Sequence, residues 1–214
     1  MAGQMLYIFS KKRTFVLKIN KMDKRNKIFF WAIVAVVTLG MLTRLFGLPA
    51  NVSPMLAVML LSVAYIQRKS IALLLPLGLY FLVDLYLNNI VYAEFFEGFQ
   101  LIGDNGVYMS LFLMLPICAI ILKKVSIPRV LIGSFGAAVL FFLVTNLYSM
   151  MTLPQYTKDF SGLMESYTAG VPFFRATLVS TMVYSAVFFT AAELYLSRAS
   201  LNSSTASKTI KLKA

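Results

Sequence analysis

The sequence predicts an all-α integral membrane protein, a six-transmembrane-helix bundle with N-in/C-in topology, and three observations carry that expectation. The first is composition: 59% of the 214 residues are hydrophobic and 13% are charged, against about 45–50% and about 25% in soluble domains. The second is six separate apolar segments, each near the length that crosses a bilayer, which takes about 20 apolar residues. The third is charge placement. Eight lysines and arginines lie in the N-terminal tail, five in two short connections and four in the C-terminal tail. If all of these face the cytoplasm, only Arg44, Lys158 and Arg175 remain elsewhere, as the positive-inside rule requires. The net charge of +12 is thus topological, and no nucleic-acid partner is expected.

In chain order, residues 1–27 read as a basic cytoplasmic tail without a cleavable signal core, and Met22 offers an alternative start. The six segments are roughly Ile28 to Phe46, Val52 to Ile66, Ile71 to Leu87, Tyr108 to Leu122, Val130 to Met150 and Phe173 to Leu196. Together they make a transmembrane domain over 28–196, followed by a Ser- and Thr-rich flexible basic tail at 197–214. The first segment holds Trp31 and the small residues Ala32, Ala35 and Gly40, which suit close helix packing. Arg44 ends it on the outer side, either snorkelling to headgroups or facing a site. Gly47 and Pro49 then turn the chain. Asn51 or Ser53 can cap the second helix, with Pro54 in its first turn. Such a helix start beside a cation suits an anion or a carbonyl-rich ligand, or is an ordinary cap.

The third segment carries Pro76, which should kink it, and Asp84 about a turn before its outer end. A carboxylate at that depth needs a partner, and Arg44 and Arg175 lie at the same level. The connection after it interleaves Tyr92, Phe95, Phe96 and Phe99 with Glu94 and Glu97, as an interfacial anchor or a lid over a ligand. It ends in the turn signal Gly103-Asp-Asn-Gly106. Cys118 is the single cysteine, so no intramolecular disulfide or cysteine-rich metal site can form. The fifth segment has a small-residue face at Gly133, Gly136, Ala137 and Ala138 and finishes near Asn146, which wants hydrogen-bond partners in a neighbouring helix or a ligand. Between the fifth and sixth segments, Phe160, Leu163, Met164 and Tyr167 recur at helical spacing, with Asp159 able to cap and Gly170 able to stop. That predicts a short amphipathic outer helix and mobile cover before the last span. Glu193, near the inner end of the last segment, reads as an interfacial residue.

The run Arg44 to Val58, the segment Pro76 to Leu85, Phe141-Phe-Leu-Val-Thr-Asn146 and Gln155 to Arg175 resemble a bacterial family of six-span membrane proteins of unknown function. Leu48-Pro-Ala-Asn51 departs from that family's His-Pro-Pro-Asn turn, and Tyr148 stands near the place of its tryptophan. More distantly, size, span number and the outer polar cluster are similar to the substrate-binding (S) subunits of energy-coupling-factor transporters. That similarity implies a ligand in the outer half, together with a membrane coupling subunit and an ATPase as partners.

Two function classes emerge. In one, Arg44, Asn51, Asp84, Asn146 and Arg175 line an outward-facing pocket for a small, anionic or vitamin-like solute, in a bacterial inner-membrane transport protein or transporter subunit. In this reading Arg44, Asp84 and Arg175 converge into one charge cluster, and the loop aromatics cover the pocket. In the other, the same residues lock a structural or assembly protein whose ligand is a membrane partner. No enzyme is expected: histidine is absent, no second acid lies near Asp84 in the spans, and no metal set is in view, so general acid/base work lacks its groups. No cofactor is expected either, and the only partner beyond these is membrane lipid.

Overall fold

The computed structural model describes residues 24–46 and 51–213, with side-chain burial given for 27–46 and 51–198. The expected N-terminal tail lies outside the described residues, apart from its last four positions, and so does the turn at 47–50. Secondary structure among the described residues is helical throughout, with no strand. Six α-helices run α1 Lys24–Leu42, α2 Met55–Tyr65, α3 Lys69–Tyr86, α4 Asn105–Ile121, α5 Ile127–Thr152 and α6 Phe160–Lys213. Among the described residues, those up to Ala32 fall in one compact unit and those from Ile33 onward in another. The second unit contains α2 to α6 and the last turns of α1.

Each of the first five expected segments falls on one helix, because long apolar runs bounded by Pro, Gly or charge leave the chain few other ways to satisfy its backbone in an apolar setting. Four stretches are long and apolar enough to cross a membrane: Lys27–Phe46, Lys69–Val91, Ile127–Thr152 and Phe160–Arg198. Helices α2 and α4 are shorter, at 11 and 17 residues. At about 1.5 Å per residue neither covers the roughly 30 Å of a bilayer core. Helix α2 is instead wrapped by the others, with every residue from Leu56 to Val63 buried. It packs against α3, α4, α5 and α6. At Gly40, a side chain would press into Val58, so glycine is what lets the end of α1 lie against α2.

The helix starts obey capping chemistry. The Ser53 hydroxyl accepts from the Met55 N–H at 3.2 Å, while Asn51, the other candidate cap, sits at φ +61° in the preceding turn. Asp104 caps α4 by accepting from the N–H groups of Gly106 (2.7 Å) and Val107 (3.4 Å). Pro128 occupies the first turn of α5, where its missing N–H costs nothing. Asp159 caps α6, accepting from the Gly162 N–H at 3.0 Å and the Thr157 hydroxyl at 2.7 Å. At the far end of α5, the Lys158 ammonium donates to the carbonyls of Met150 and Leu153, each at 2.6 Å. A cation belongs there, where the helix leaves its last carbonyls unpaired.

The expected separate outer helix does not exist. The turns from Phe160 to Tyr167 are the start of α6, which runs unbroken through Gly170 and Pro172. Gly170 does not stop the helix because its missing side chain is used for packing: a Cβ there would collide with the Asn146 side chain. Nor are these turns a loose cover. The Ser166 hydroxyl donates to the Asn146 carbonyl at 2.8 Å, and the Tyr167 hydroxyl donates to that of Leu143 at 3.1 Å. The expected apolar stripe is only partly covered, since Phe160 and Met164 are exposed. Residues 197–213, expected to be a flexible tail, continue the same helix.

Candidate functional site

At the end of α3 the helix widens into a π-turn, Leu87–Val91, a distortion that recurs at functional sites. Its first residues complete a line at i, i+4 and i+8: Tyr80, Asp84 and Asn88, all buried. Asp84 is the centre of this line. Its Oδ1 pairs with Arg44 Nη2 at 3.3 Å. Its Oδ2 accepts from the Asn88 amide at 3.2 Å, the Gly103 N–H at 3.3 Å and the Tyr108 hydroxyl at 3.2 Å. The Arg44 guanidinium lies over the Tyr80 ring, 4.2 Å from its centroid, and Tyr80 meets Tyr108 edge-on at 5.1 Å. Arg44 Nη1 is buried and makes no hydrogen bond, so the Tyr80 ring face stands in for a second acceptor.

The loop behind α3 is tied down to deliver Gly103. The Asn89 side chain both donates to the Gln100 carbonyl at 2.7 Å and accepts from its N–H at 2.8 Å. That two-point link returns the loop to the helix end. At Gly103 a Cβ would strike the Asn88 amide, so only glycine lets this N–H reach the carboxylate. Four donors on one carboxylate answer the cost of burying it. Asp84 and Arg44 therefore hold each other and tie α3 to α4 and to the end of the first apolar stretch.

Beside this cluster lies a cavity of about 190 Å³. Its polar lining is Asn51, Asp104, Thr145, Asn146 and Thr177; the rings of Phe141, Phe142, Phe173 and Phe174 supply much of the rest. Asn51 is held by the Ser180 hydroxyl, which donates to its carbonyl at 3.3 Å. The Asn146 amide donates back to the Phe142 carbonyl at 2.8 Å. Phe142 stacks obliquely on Phe174 (4.8 Å) and Tyr167 (5.4 Å), which fixes this wall. Asp104 belongs to both places, since it lines the cavity while the preceding Gly103 bonds Asp84.

Of the five residues expected to share one site, Arg44 and Asp84 form the pair, and Asn51 and Asn146 line the neighbouring cavity. Arg175 joins neither. It is exposed and makes no ion pair among the described residues, so the expected three-charge cluster does not form. The reason is helical phase. The sequence puts Arg175 in the first turn of a new helix, but α6 begins at Phe160, and its phase is set before Arg175 is reached. At about 100° per residue, Arg175 points away from Phe173 and Thr177, which line the cavity. The loop aromatics Tyr92, Phe95, Phe96 and Phe99 are exposed and line no part of this cavity, so the expected lid is absent from it.

Sequence reasoning missed Tyr80, Asn88 and Tyr108 around Asp84, although the 80-84-88 spacing marks one helix face and could have shown the first two. It also missed Thr145, Thr177 and the four phenylalanines, which look like ordinary membrane-helix residues until α5 and α6 are aligned. Among the described residues no group of acidic, cysteine or histidine side chains is placed to hold a metal. A family model described as a family of unknown function, DUF6580, matches residues 24–205. No curated protein and no solved structure matches the chain.

Proposed function

The chain belongs to DUF6580, a family of unknown function, and on the geometry alone we propose that it is a multi-pass membrane transport protein or substrate-binding transporter subunit. In this reading it has six spans, both termini lie in the cytoplasm, and the cavity between α4, α5 and α6 receives a small polar solute from the outer side. The observation that carries the reading is the cavity lining, in which Asn51, Asn146, Thr145 and Thr177 stand among Phe141, Phe142, Phe173 and Phe174. Apolar walls with a few placed polar groups are the usual build of a small-molecule site.

The lining also selects the solute. The charge pattern of the sequence suggests an anionic or vitamin-like solute, and an anion would need a free cation. Arg44 is committed to Asp84 and Tyr80, and Arg175 is exposed. Among the described residues, the single ionisable group on the lining is the Asp104 carboxylate. A neutral or cationic solute with amide, hydroxyl or ammonium groups fits this lining; a carboxylate or phosphate does not. The Arg44–Asp84 cluster ties the start of α4, which borders the cavity, to α3.

Coupling to a membrane partner and an ATPase, as in the energy-coupling-factor S subunits, would supply the energy, since the sequence carries no nucleotide-binding loop. The test is a thermal-shift screen of purified protein against small amides, polyols, ammonium compounds, carboxylates and phosphates. A rise in melting temperature with the first three groups is expected. Stabilisation by the anionic groups alone would refute the choice of solute.

A further inference from the structure

The cavity has a polar continuation. On α6, Thr177, Thr181, Ser185, Phe189 and Glu193 succeed one another at four-residue spacing, a line that winds about 40° around the helix at each step. Thr177 lines the cavity. Thr181 and Ser185 are each 1% exposed, and neither hydroxyl makes a hydrogen bond. The other face of the same stretch is the reverse: Val179, Val183 and Val187 are 62%, 55% and 57% exposed. This stretch therefore turns valine outward and hydroxyls inward, the opposite of a soluble amphipathic helix.

Helix α5 supplies a second wall. Asn146 and Phe142 line the cavity, and the four-residue line continues through Ala138, fully buried, to Ser134, 1% exposed and also without a hydrogen bond. The two helices are antiparallel, with Asn146 against Ser166 and Phe142 against Phe174. Two turns further along, that register brings Ser134 level with Thr181. Three buried hydroxyls without partners thus lie on the two helices that line the cavity, past the last residues lining it. A dry interior would leave each of them unpaired at a cost; a polar solute or its water passing among them removes that cost.

The line ends one turn past Ser185. Phe189 is buried and meets the Tyr65 ring at 5.6 Å. The Tyr65 hydroxyl donates to Glu193 at 2.6 Å. We propose that this hydroxyl line is the translocation path of the solute taken up in the cavity, closed at its far end by the Tyr65–Phe189 contact and favouring uncharged or cationic solutes. Charge selection comes from the ends, since Asp104 stands at the entrance and Glu193 just beyond the closure, while the hydroxyls between them are neutral.

This rests on the cavity being a solute site, but its test uses no solute. Cys118 is the single cysteine, so Cys118→Ala gives a clean background for single cysteines at Thr181, Ser185, Val179 and Val183. The reagent is 2-aminoethyl methanethiosulfonate, applied to protein in proteoliposomes. A thiol reacts as thiolate, which forms where water reaches it, so the cysteines at 181 and 185 should label about tenfold faster or more than those at 179 and 183. Adding Phe189→Ala should speed labelling at 185 further. Rates at 181 and 185 no faster than at the two valine positions would overturn the path.

Thr181→Val provides an independent check if a cysteine variant does not fold. A hydrated hydroxyl replaced by methyl leaves the melting temperature unchanged or lowers it. A raised melting temperature would show a dry, unpaired hydroxyl and overturn the path. If labelling fails while the thermal-shift screen finds a solute, the path is lost and the binding site stands; if the screen fails while labelling succeeds, the hydroxyl line is wet but the solute site, and with it the solute's path, is lost.

Discussion

Asp84 shows how much one buried charge can organise. Its carboxylate draws Arg44, Asn88, Tyr108 and the Gly103 N–H onto one point. Asp84→Ala leaves the Arg44 guanidinium without its carboxylate in a largely buried place. Breaking a buried pair from one side should cost about 3–5 kcal/mol, read as a loss of stability in denaturant or heat on purified protein in detergent. Arg175→Ala should change stability by less than about 0.5 kcal/mol, as exposed substitutions away from special features do. An equal loss from both would mean that the pair does not hold the fold. The sequence made the need for an Asp84 partner legible, because a carboxylate in an apolar run cannot stand alone. It could not choose between two arginines at the same depth, since that choice depends on which way each helix is turned.

Among the helices, the fit of α5 against α6 decides whether the cavity exists. Gly170 admits the Asn146 side chain, so Gly170→Val should drive the two helices apart at the cavity and lower the melting temperature; an unchanged melting temperature would show that the contact is slack. The start of α6 carries a separate, pH-readable feature. Hydrogen bonds from the Gly162 N–H and the Thr157 hydroxyl hold the Asp159 carboxyl below its ordinary value of 3.8. Because the folded-state pKa is lowered, the cap's contribution is complete above that ordinary value and is lost only as pH falls through the lower folded one. The Gly162 amide shift, tracked by NMR, should titrate with a midpoint below 3.8; a midpoint at or above it would deny the cap.

Five helix positions were legible in the sequence from apolar run length and breakers. The continuity of α6 was not, because Gly170 and Pro172 read locally as a stop. There the missing side chain of Gly170 makes room for Asn146, which is distant in sequence. The Asp159 cap was legible because the capping residue and its helix are adjacent in the chain.

For the whole molecule, orientation rests on the clustering of lysines and arginines. Single cysteines at Gln100 and Ser161, introduced with Cys118→Ala, should react with an impermeant thiol reagent added outside intact cells. Those at Lys69 and Ser204 should not. The reverse pattern would invert the protein and place the cavity on the cytoplasmic side. Membrane character was the most legible property of the chain, since it needs only composition. The cavity was the least, because its lining comes from four separated stretches, and its Asn and Thr residues look alike whether they face a ligand or a neighbouring helix.

Whether the cavity holding Asn146 is a solute site can be read by comparing ligand-induced stabilisation in three proteins. Wild type, Asn146→Leu and Arg175→Ala would each be melted with and without the best neutral or cationic compound from the screen. At a concentration about 100 times its Kd, a ligand specific to the folded state adds about 2.7 kcal/mol. Wild type and Arg175→Ala should therefore show the same clear rise in melting temperature, and Asn146→Leu should show little or none. A rise retained in Asn146→Leu but lost in Arg175→Ala would rule the site out, placing the solute at the exposed arginine and leaving the cavity without a role.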